Sequence, residues 1–71
     1  MSNNQIIINN IRRIIRLKGV KQSVIAEKAG FTPNAFSSML NERKIIMAEY
    51  IPDIALALGV SVNELYKKGD D

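Results

Sequence analysis

The apolar residues in the first third of the chain recur with the spacing of an amphipathic helix. Ile7, Ile11 and Ile14 follow the i, i+4, i+7 pattern, and the arginines nearby fall largely outside that stripe. The pattern predicts a first helix over residues 4–17. Gly19 follows, and we expect it to be the C-cap because glycine adopts the left-handed conformation most readily.

A glycine interrupts the next apolar pattern, which resumes immediately afterwards. The spacing predicts a second helix over residues 22–29, which Gly30 ends. Thr32 then has the N-cap position, and Pro33 has the first helical position, where its missing N–H removes no hydrogen bond. A third helix over residues 33–41 follows. Two helices joined by so short a turn can meet at a steep angle.

Small and aromatic residues fit this turn. Val24 is one of the apolar positions of the second helix, and Ala26 is the small residue that a close helix crossing requires. We expect a positive φ at Gly30, which other residues resist. Phe31 before the cap and Phe36 inside the helix have the spacing of a hydrophobic staple.

The second half of the chain predicts one loop and two further helices. The loop covers residues 42–47, and the helices cover residues 49–58 and 62–67. Ser61 and Glu64 have the spacing of a capping box at the start of the last helix.

Five short helices with brief connections predict an all-α fold, a compact five-helix bundle in one domain that spans residues 1–71. We expect an ordered core over about residues 4–67 and a loose tail at residues 69–71.

Composition limits the chemistry of such a bundle. The chain has no Cys and no His, so the commonest zinc ligands and the commonest general base are missing. We therefore expect no enzyme activity, metal site, cofactor or small-molecule ligand. The net charge of +3 mildly favours a polyanionic partner. No apolar run approaches the length of a membrane span, so we expect a cytoplasmic protein without a membrane partner.

Eight residues around the glycine turn keep the spacing of a known motif: Gln22, Ile25, Ala26, Gly30, Phe31, Thr32, Phe36 and Met39. Together they resemble the helix-turn-helix of phage repressor and Cro-like regulators, the XRE family. The segment IALALGVSVNELY, residues 54–66, resembles the closing helices of that family. The resemblance implies a lambda repressor-like domain that binds double-stranded operator DNA, with its third helix in the major groove.

The third helix is then the candidate for reading bases. Asn34 is its strongest candidate because a carboxamide can pair with adenine through two hydrogen bonds, although a solvated side chain is the simpler interpretation. No Arg or Lys lies within residues 33–40, so we expect a half-site that leans towards A and T. With the apolar residues facing inward, four residues face the groove: Pro33, Asn34, Ser37 and Ser38.

The resemblance also implies phosphate contacts. Gln22 matches a glutamine that commonly binds phosphate, and the loop after the third helix matches a segment that often holds the DNA backbone. Thr32 could be a cap or a contact, and the basic loop residues could be plain surface charge. The predicted phosphate-contacting residues are Gln22, Thr32, Asn41, Arg43 and Lys44.

Three features depart from the family's pattern. Lys21 has the N-cap position of the second helix, where Ser, Thr or Asn is common, and Glu42 has a position that is often glycine. Ile15 and Leu40 match the two positions of a buried Arg–Glu pair, so we expect these apolar side chains to touch instead.

The sequence therefore predicts a sequence-specific transcriptional regulator that reads the major groove with residues 33–41. It would act by occupancy, as a repressor, and bind its operator as a homodimer. The alternative is a protein–protein interaction module on the same scaffold, with little DNA binding. Ile45, Ile46 and Met47 could belong to such a surface, although packing in the core is the simpler interpretation.

Overall fold

The computed structural model describes residues 2–68, and within that range it contains five α-helices, one 3₁₀ turn and no strand. The predicted all-α, five-helix fold is confirmed. The tail predicted at residues 69–71 lies outside the described residues. The helices are α1 (Asn3–Lys18), α2 (Gln22–Lys28), α3 (Pro33–Leu40), α4 (Ile51–Leu58) and α5 (Val62–Tyr66), and the 3₁₀ turn is Ala48–Tyr50.

α1 is the longest helix, and hydrogen bonds fix both of its ends. Ser2 is the N-cap, and its Oγ accepts from the backbone N–H of Gln5 at 3.2 Å. At the other end, Gly19 has φ 66° and ψ 31°, the left-handed conformation predicted for it, and its N–H bonds to carbonyls of the last turn. The isoleucine stripe between the two ends is buried.

One apolar cluster joins all five helices. α1 packs on α3 and α5, α2 packs on α3 and α4, and α4 packs on α5. Because each helix is short, this shared burial stabilises the helices more than their own propensities do. Among residues 2–68, no helix has both the length and the apolar character that crossing a bilayer requires. The cluster contains Ile7, Ile8, Ile11, Ile14, Ile25, Ala26, Ala29, Phe36, Met39, Leu40, Ile46, Ile51, Ile54, Ala55, Leu58 and Leu65.

The turn between α2 and α3 combines a glycine with an aromatic stack. Gly30 has φ 91°, which confirms the predicted positive φ. A Cβ at Gly30 would meet nothing within 4 Å, so the glycine serves the backbone conformation and not a close approach. Phe31 stacks on Phe36 with ring centroids 6.1 Å apart, and Tyr50 meets Phe31 edge-on at 5.0 Å. The predicted staple is therefore present, and the 3₁₀ turn packs against it.

Each of the five helices differs from its predicted bounds by one or two residues at one or both ends, and one predicted cap is absent. α3 ends at Leu40 because Asn41 leaves the helical conformation and forms the C-cap. α4 begins at Ile51 and not at residue 49, since Pro52 lacks the N–H that an earlier helical turn would need. The predicted capping box at Ser61 is wrong, because the backbone N–H of Glu64 bonds to the Ser61 carbonyl and not to its hydroxyl.

Two predictions about apolar residues are also corrected. Val24 is 41% exposed, because neighbouring residues form the core-facing side of α2. In the loop after α3, Ile46 is buried, whereas Ile45 and Met47 are 70% and 50% exposed. Successive side chains of an extended segment point to opposite sides, so only the middle residue of the three reaches the core.

Candidate nucleic-acid interface

α3 turns a polar face to solvent on the side opposite its apolar residues. Pro33 and Asn34 are exposed, and Ser37 and Ser38 are half-buried one turn further along. The positions i, i+1, i+4 and i+5 lie on one face of a helix. The four residues predicted to contact bases therefore share one accessible surface of α3.

Thr32 and Pro33 begin this helix as predicted. Thr32 Oγ1 accepts from the backbone N–H of Ala35 at 3.1 Å, and Pro33 has the first helical position. A hydroxyl that accepts one hydrogen bond still has its own hydrogen to donate. The cap therefore leaves exposed Thr32 able to donate to a phosphate oxygen as well.

The other end of α3 turns sharply at a residue with left-handed backbone. Glu42 has φ 63°, which is uncommon for a residue with a Cβ. Its N–H bonds to the Met39 carbonyl at 3.2 Å, and the N–H of Arg43 bonds to the Ser38 carbonyl at 2.8 Å. These two bonds are those of a Schellman cap. Arg43 and Lys44 follow the cap directly, and both are exposed.

Two amide side chains of α1 hold this loop. Gln5, with its amide nitrogen turned towards Glu42 as its neighbours favour, donates to Oε2 at 2.7 Å and to Oε1 at 3.1 Å. Asn4 Oδ1 accepts from the backbone N–H of Ile46 at 3.2 Å. The loop that carries the two basic residues is thus fixed at both of its ends.

Arg12 of α1 reaches the same end of α3. Its Nη2 donates to the Leu40 carbonyl at 2.9 Å and to Asn41 Oδ1 at 3.0 Å. Asn41 Nδ2 in turn donates to Ser37 Oγ at 3.2 Å. A cation bonded to the last carbonyls of a helix also suits the negative end of the helix dipole.

Gln22 begins α2 and is half-buried. Lys21 before it makes no side-chain cap hydrogen bond, because an ammonium group has no acceptor. The first N–H groups of α2 therefore have no side-chain acceptor at the cap, and the positive end of the helix dipole favours an anion there. Gln22, which is predicted to contact phosphate, is the first residue of this helix.

The sequence model of one family, described as "Cro/C1-type HTH DNA-binding domain", matches residues 10–71, which include the turn and the polar face of α3. The chain belongs to the Cro/C1-type helix-turn-helix family. No curated protein matches the chain. A solved structure described as the hypothetical transcription factor NHTF from Neisseria is similar at a TM-score of 0.84 and 25% identity, over 94% of this chain and 77% of that one.

A second similar structure is that of the clp gene regulator ClgR from C. glutamicum. Its TM-score is 0.82 at 25% identity, and the match covers 92% of this chain and 84% of that chain. The matching family is described as DNA-binding, and the two similar structures are described as a transcription factor and a gene regulator. The chain is therefore a DNA-binding regulator of the Cro/C1-type family.

The polar residues of α1 are the part of this site that the apolar pattern did not identify. Gln5 and Arg12 are separated by two helical turns, so they lie on one face of α1, beside the isoleucine stripe. That spacing was the available signal. Their partners lie about 30 to 40 positions further along the chain, which a local pattern cannot indicate.

Proposed function

We propose that this Cro/C1-type domain binds a specific double-stranded DNA operator by inserting the polar face of α3 into the major groove. The observation that carries the proposal is the pairing of that accessible face with two exposed cations at its end. A groove-reading helix needs side chains that reach base edges and flanking cations that meet phosphates. The polar face of α3 supplies the side chains that can reach base edges, and Arg43 and Lys44 supply the cations.

Base reading falls to Pro33, Asn34, Ser37 and Ser38 in this proposal. Asn34 is exposed in the first turn, where a carboxamide can pair with the N6 and N7 groups of adenine. The absence of Arg and Lys from α3 removes the commonest guanine-reading groups. We therefore expect an operator half-site that leans towards A and T.

Phosphate contacts fix the domain on the duplex. Exposed Arg43 and Lys44 supply charge at one end of α3, and Thr32 supplies a hydroxyl at the other end. Gln22 lies at the positive end of the α2 dipole, and Asn41 keeps one amide hydrogen after bonding to Ser37. Each such contact positions the reading helix without itself carrying sequence information.

The regulatory role that binding alone can perform is repression. A protein that occupies a promoter site excludes other proteins from it, and this requires nothing beyond the DNA-binding domain. DNA as the partner also implies action in the cytoplasm. An in vitro transcription assay on a promoter that overlaps the selected operator tests this role. Loss of transcript with added protein supports repression, and a gain in transcript contradicts it.

The small size of the domain favours a homodimer on a palindromic operator. One domain of this kind contacts little DNA surface, and two-fold operators need two reading helices. Leu56 on α4 is 81% exposed and Tyr66 on α5 is 44% exposed, so the C-terminal helices offer apolar side chains to a second copy. Sedimentation of the protein on a two-half-site duplex tests the stoichiometry, and Leu56→Lys should reduce two bound copies to one.

The direct test of DNA binding is fluorescence anisotropy with duplexes of about 30 base pairs, long enough for two half-sites one helical turn apart. Affinity for random duplex should fall steeply as salt rises, because each phosphate contact releases counterions. Selection from randomised duplexes should then return an A/T-leaning consensus. A G-rich consensus opposite Asn34 contradicts the proposed reading.

The second candidate function is a protein-interaction module. Its supporting observation is the exposure of Ile45 and Met47 on the loop after α3. The same titration separates the two candidates. An absence of binding to any duplex at low salt removes the DNA proposal and leaves the interaction module.

A further inference from the structure

Two successive hydrogen bonds connect three side chains at the end of α3. They run from Arg12 through Asn41 to Ser37, and each side chain donates to the next. Arg12 donates to Asn41 Oδ1 at 3.0 Å and to the Leu40 carbonyl at 2.9 Å. Asn41 Nδ2 donates to Ser37 Oγ at 3.2 Å. This chain of hydrogen bonds therefore ends on a residue that the DNA-binding proposal assigns to base reading.

The chemistry of Arg12 fixes the direction of every bond in this chain. A guanidinium group is a donor only, so the side of Asn41 that faces it must be the carbonyl oxygen. The amide nitrogen of Asn41 must then face Ser37. The reverse orientation would set N–H groups against N–H groups at one end of the carboxamide.

The direction of these hydrogen bonds also determines the role of the Ser37 hydroxyl. With an N–H donor on the Asn41 side, the Ser37 oxygen accepts there and its hydrogen must point elsewhere. An accepted hydrogen bond also polarises the O–H group and makes it a better donor. Ser37 is half-buried on the exposed face, so this donor is accessible from the groove side.

We propose that Arg12 is a positioning residue that sets Ser37 as a hydrogen-bond donor, so that Ser37 selects a base with an acceptor in the major groove. Thymine O4 is such an acceptor, whereas cytosine presents the N4 amino donor. The inference rests on the proposed DNA-binding function. It adds that α1, which contacts no base in this proposal, determines a preference at one operator position.

The test uses the ratio of two affinities at one position. A first scan of the operator finds the base pair whose preference changes in Ser37→Ala. Two duplexes then carry a thymine–adenine pair or a 5-methylcytosine–guanine pair there. The two pyrimidines share the methyl group and differ in the O4 acceptor or N4 donor, and the partner purines share N7 and differ in the N6 donor or O6 acceptor. The wild-type protein should bind the thymine duplex about three- to tenfold more tightly, the size of one hydrogen bond. Ser37→Ala should bring that ratio close to one.

Asn41→Asp is the decisive variant, because it keeps an acceptor for Arg12 and reverses the bond to Ser37. A carboxylate has no hydrogen to donate, so the Ser37 hydroxyl must donate to it and offer the groove only its oxygen. The ratio should fall to one or below one. Asn41 is exposed, so this variant keeps the core intact. The added negative charge weakens binding to both duplexes alike and cancels in the ratio.

Arg12→Met tests the origin of the chain, with Arg16→Met as the matched control. Arg16 is also an exposed arginine, one turn further along α1. Arg12→Met should lower the ratio towards one, while Arg16→Met should leave it unchanged. Arg12→Lys keeps a charged N–H donor but loses the planar set of donors of the guanidinium group, so it should give an intermediate ratio. Circular dichroism on each variant checks that the helices remain folded.

The outcomes separate this inference from the function on which it rests. A wild-type ratio above one that neither Asn41→Asp nor Arg12→Met changes overturns the positioning role and leaves DNA binding intact. Equal losses on both duplexes in Arg12→Met make Arg12 a phosphate contact and overturn the inference as well. An absence of wild-type binding to every duplex removes both proposals.

Discussion

Asn10 of α1 donates from its buried Nδ2 to the carbonyl oxygen of Leu65, 2.8 Å away and 55 positions further along the chain. The same nitrogen donates to the Lys67 carbonyl at 2.7 Å, and Arg13 donates to Asn10 Oδ1 at 3.3 Å. Asn10 is 4% exposed, and no buried side-chain nitrogen or oxygen of the described residues lacks a partner. A five-residue helix supplies few hydrogen bonds of its own, so this side chain fixes the end of α5 on α1.

Asn10→Ala should lower the free energy of unfolding by about 2–4 kcal/mol, since it leaves two carbonyl groups without donors. That is a large fraction of the stability of a domain this small. Asn10→Asp should be at least as destabilising at neutral pH, because a carboxylate would face two carbonyl oxygens and can donate to neither. Urea denaturation followed by circular dichroism measures both changes.

The matched control for Asn10 is Asn63→Ala, which removes the same side chain from an exposed position on α5. It should change the unfolding free energy by no more than about 0.5 kcal/mol. If Asn10→Ala proves as mild as Asn63→Ala, the attachment of α5 does not depend on this carboxamide.

Replacing Glu42 by glycine should raise both the free energy of unfolding and the affinity for DNA. Its left-handed φ of 63° is disfavoured for a side chain with a Cβ and suits glycine. Glu42→Gly should raise the free energy of unfolding by up to about 1 kcal/mol, after the loss of the Gln5 contact. It also removes a negative charge beside Arg43, so affinity for random duplex should rise.

Glu42→Gln separates these two effects. It removes the charge and keeps the backbone penalty, so it should raise DNA affinity as much as glycine does without raising stability. Thermal melts and anisotropy on the same preparations give both quantities. Equal melting temperatures for the glycine and glutamine variants would show that the left-handed turn carries no measurable strain.

Arg43→Ala and Lys44→Ala should each make binding less dependent on salt. One lost phosphate contact lowers the magnitude of the slope of log affinity against log salt by about 0.9. The loss should be uniform across duplex sequences, because phosphates carry no base information. Lys68→Ala, an equal change of charge after α5, is the control and should leave the slope unchanged. Unchanged slopes in both loop variants contradict the phosphate contacts.

The parts of the fold that local spacing determines were predictable from the sequence. Gly30, Thr32 and Pro33 each act on their own backbone or on residues a turn away, so their order predicts the turn and the start of α3. Ser61 shows where such reasoning fails. Its spacing to Glu64 suits a capping box, but a backbone carbonyl accepts the hydrogen bond in so short a helix.

Contacts between distant polar residues were not predictable. Arg12 bonds to Leu40 across 28 positions, and neither residue belongs to a local motif that would indicate the other. An apolar stripe identifies the face that a helix buries, whereas a polar side chain beside it selects a partner only after the helices have packed. The candidate site follows the same division, since the exposed polar face of α3 was predictable and the hydrogen bonds from α1 were not.

The last prediction concerns Ile15 and Leu40, which are expected to touch because they match the two positions where the resemblance implies a buried ion pair. Leu40 belongs to the buried cluster, and half-buried Ile15 packs against that cluster. Leu40→Glu should destabilise the domain by about 3–5 kcal/mol, because it buries a charge without a partner. Ile15→Arg together with Leu40→Glu should recover part of that loss by pairing the two charges. A double-mutant cycle by urea denaturation measures the coupling, which should be at least about 1 kcal/mol if the two side chains touch.

Ile15→Arg with Leu40→Gln is the control, since the amide has the size of glutamate without its charge. Strict additivity in the Arg–Glu pair would show that the two side chains do not touch. Of residues 12, 15 and 40, only Arg12 would then connect α1 to the end of α3, through its hydrogen bond to the Leu40 carbonyl.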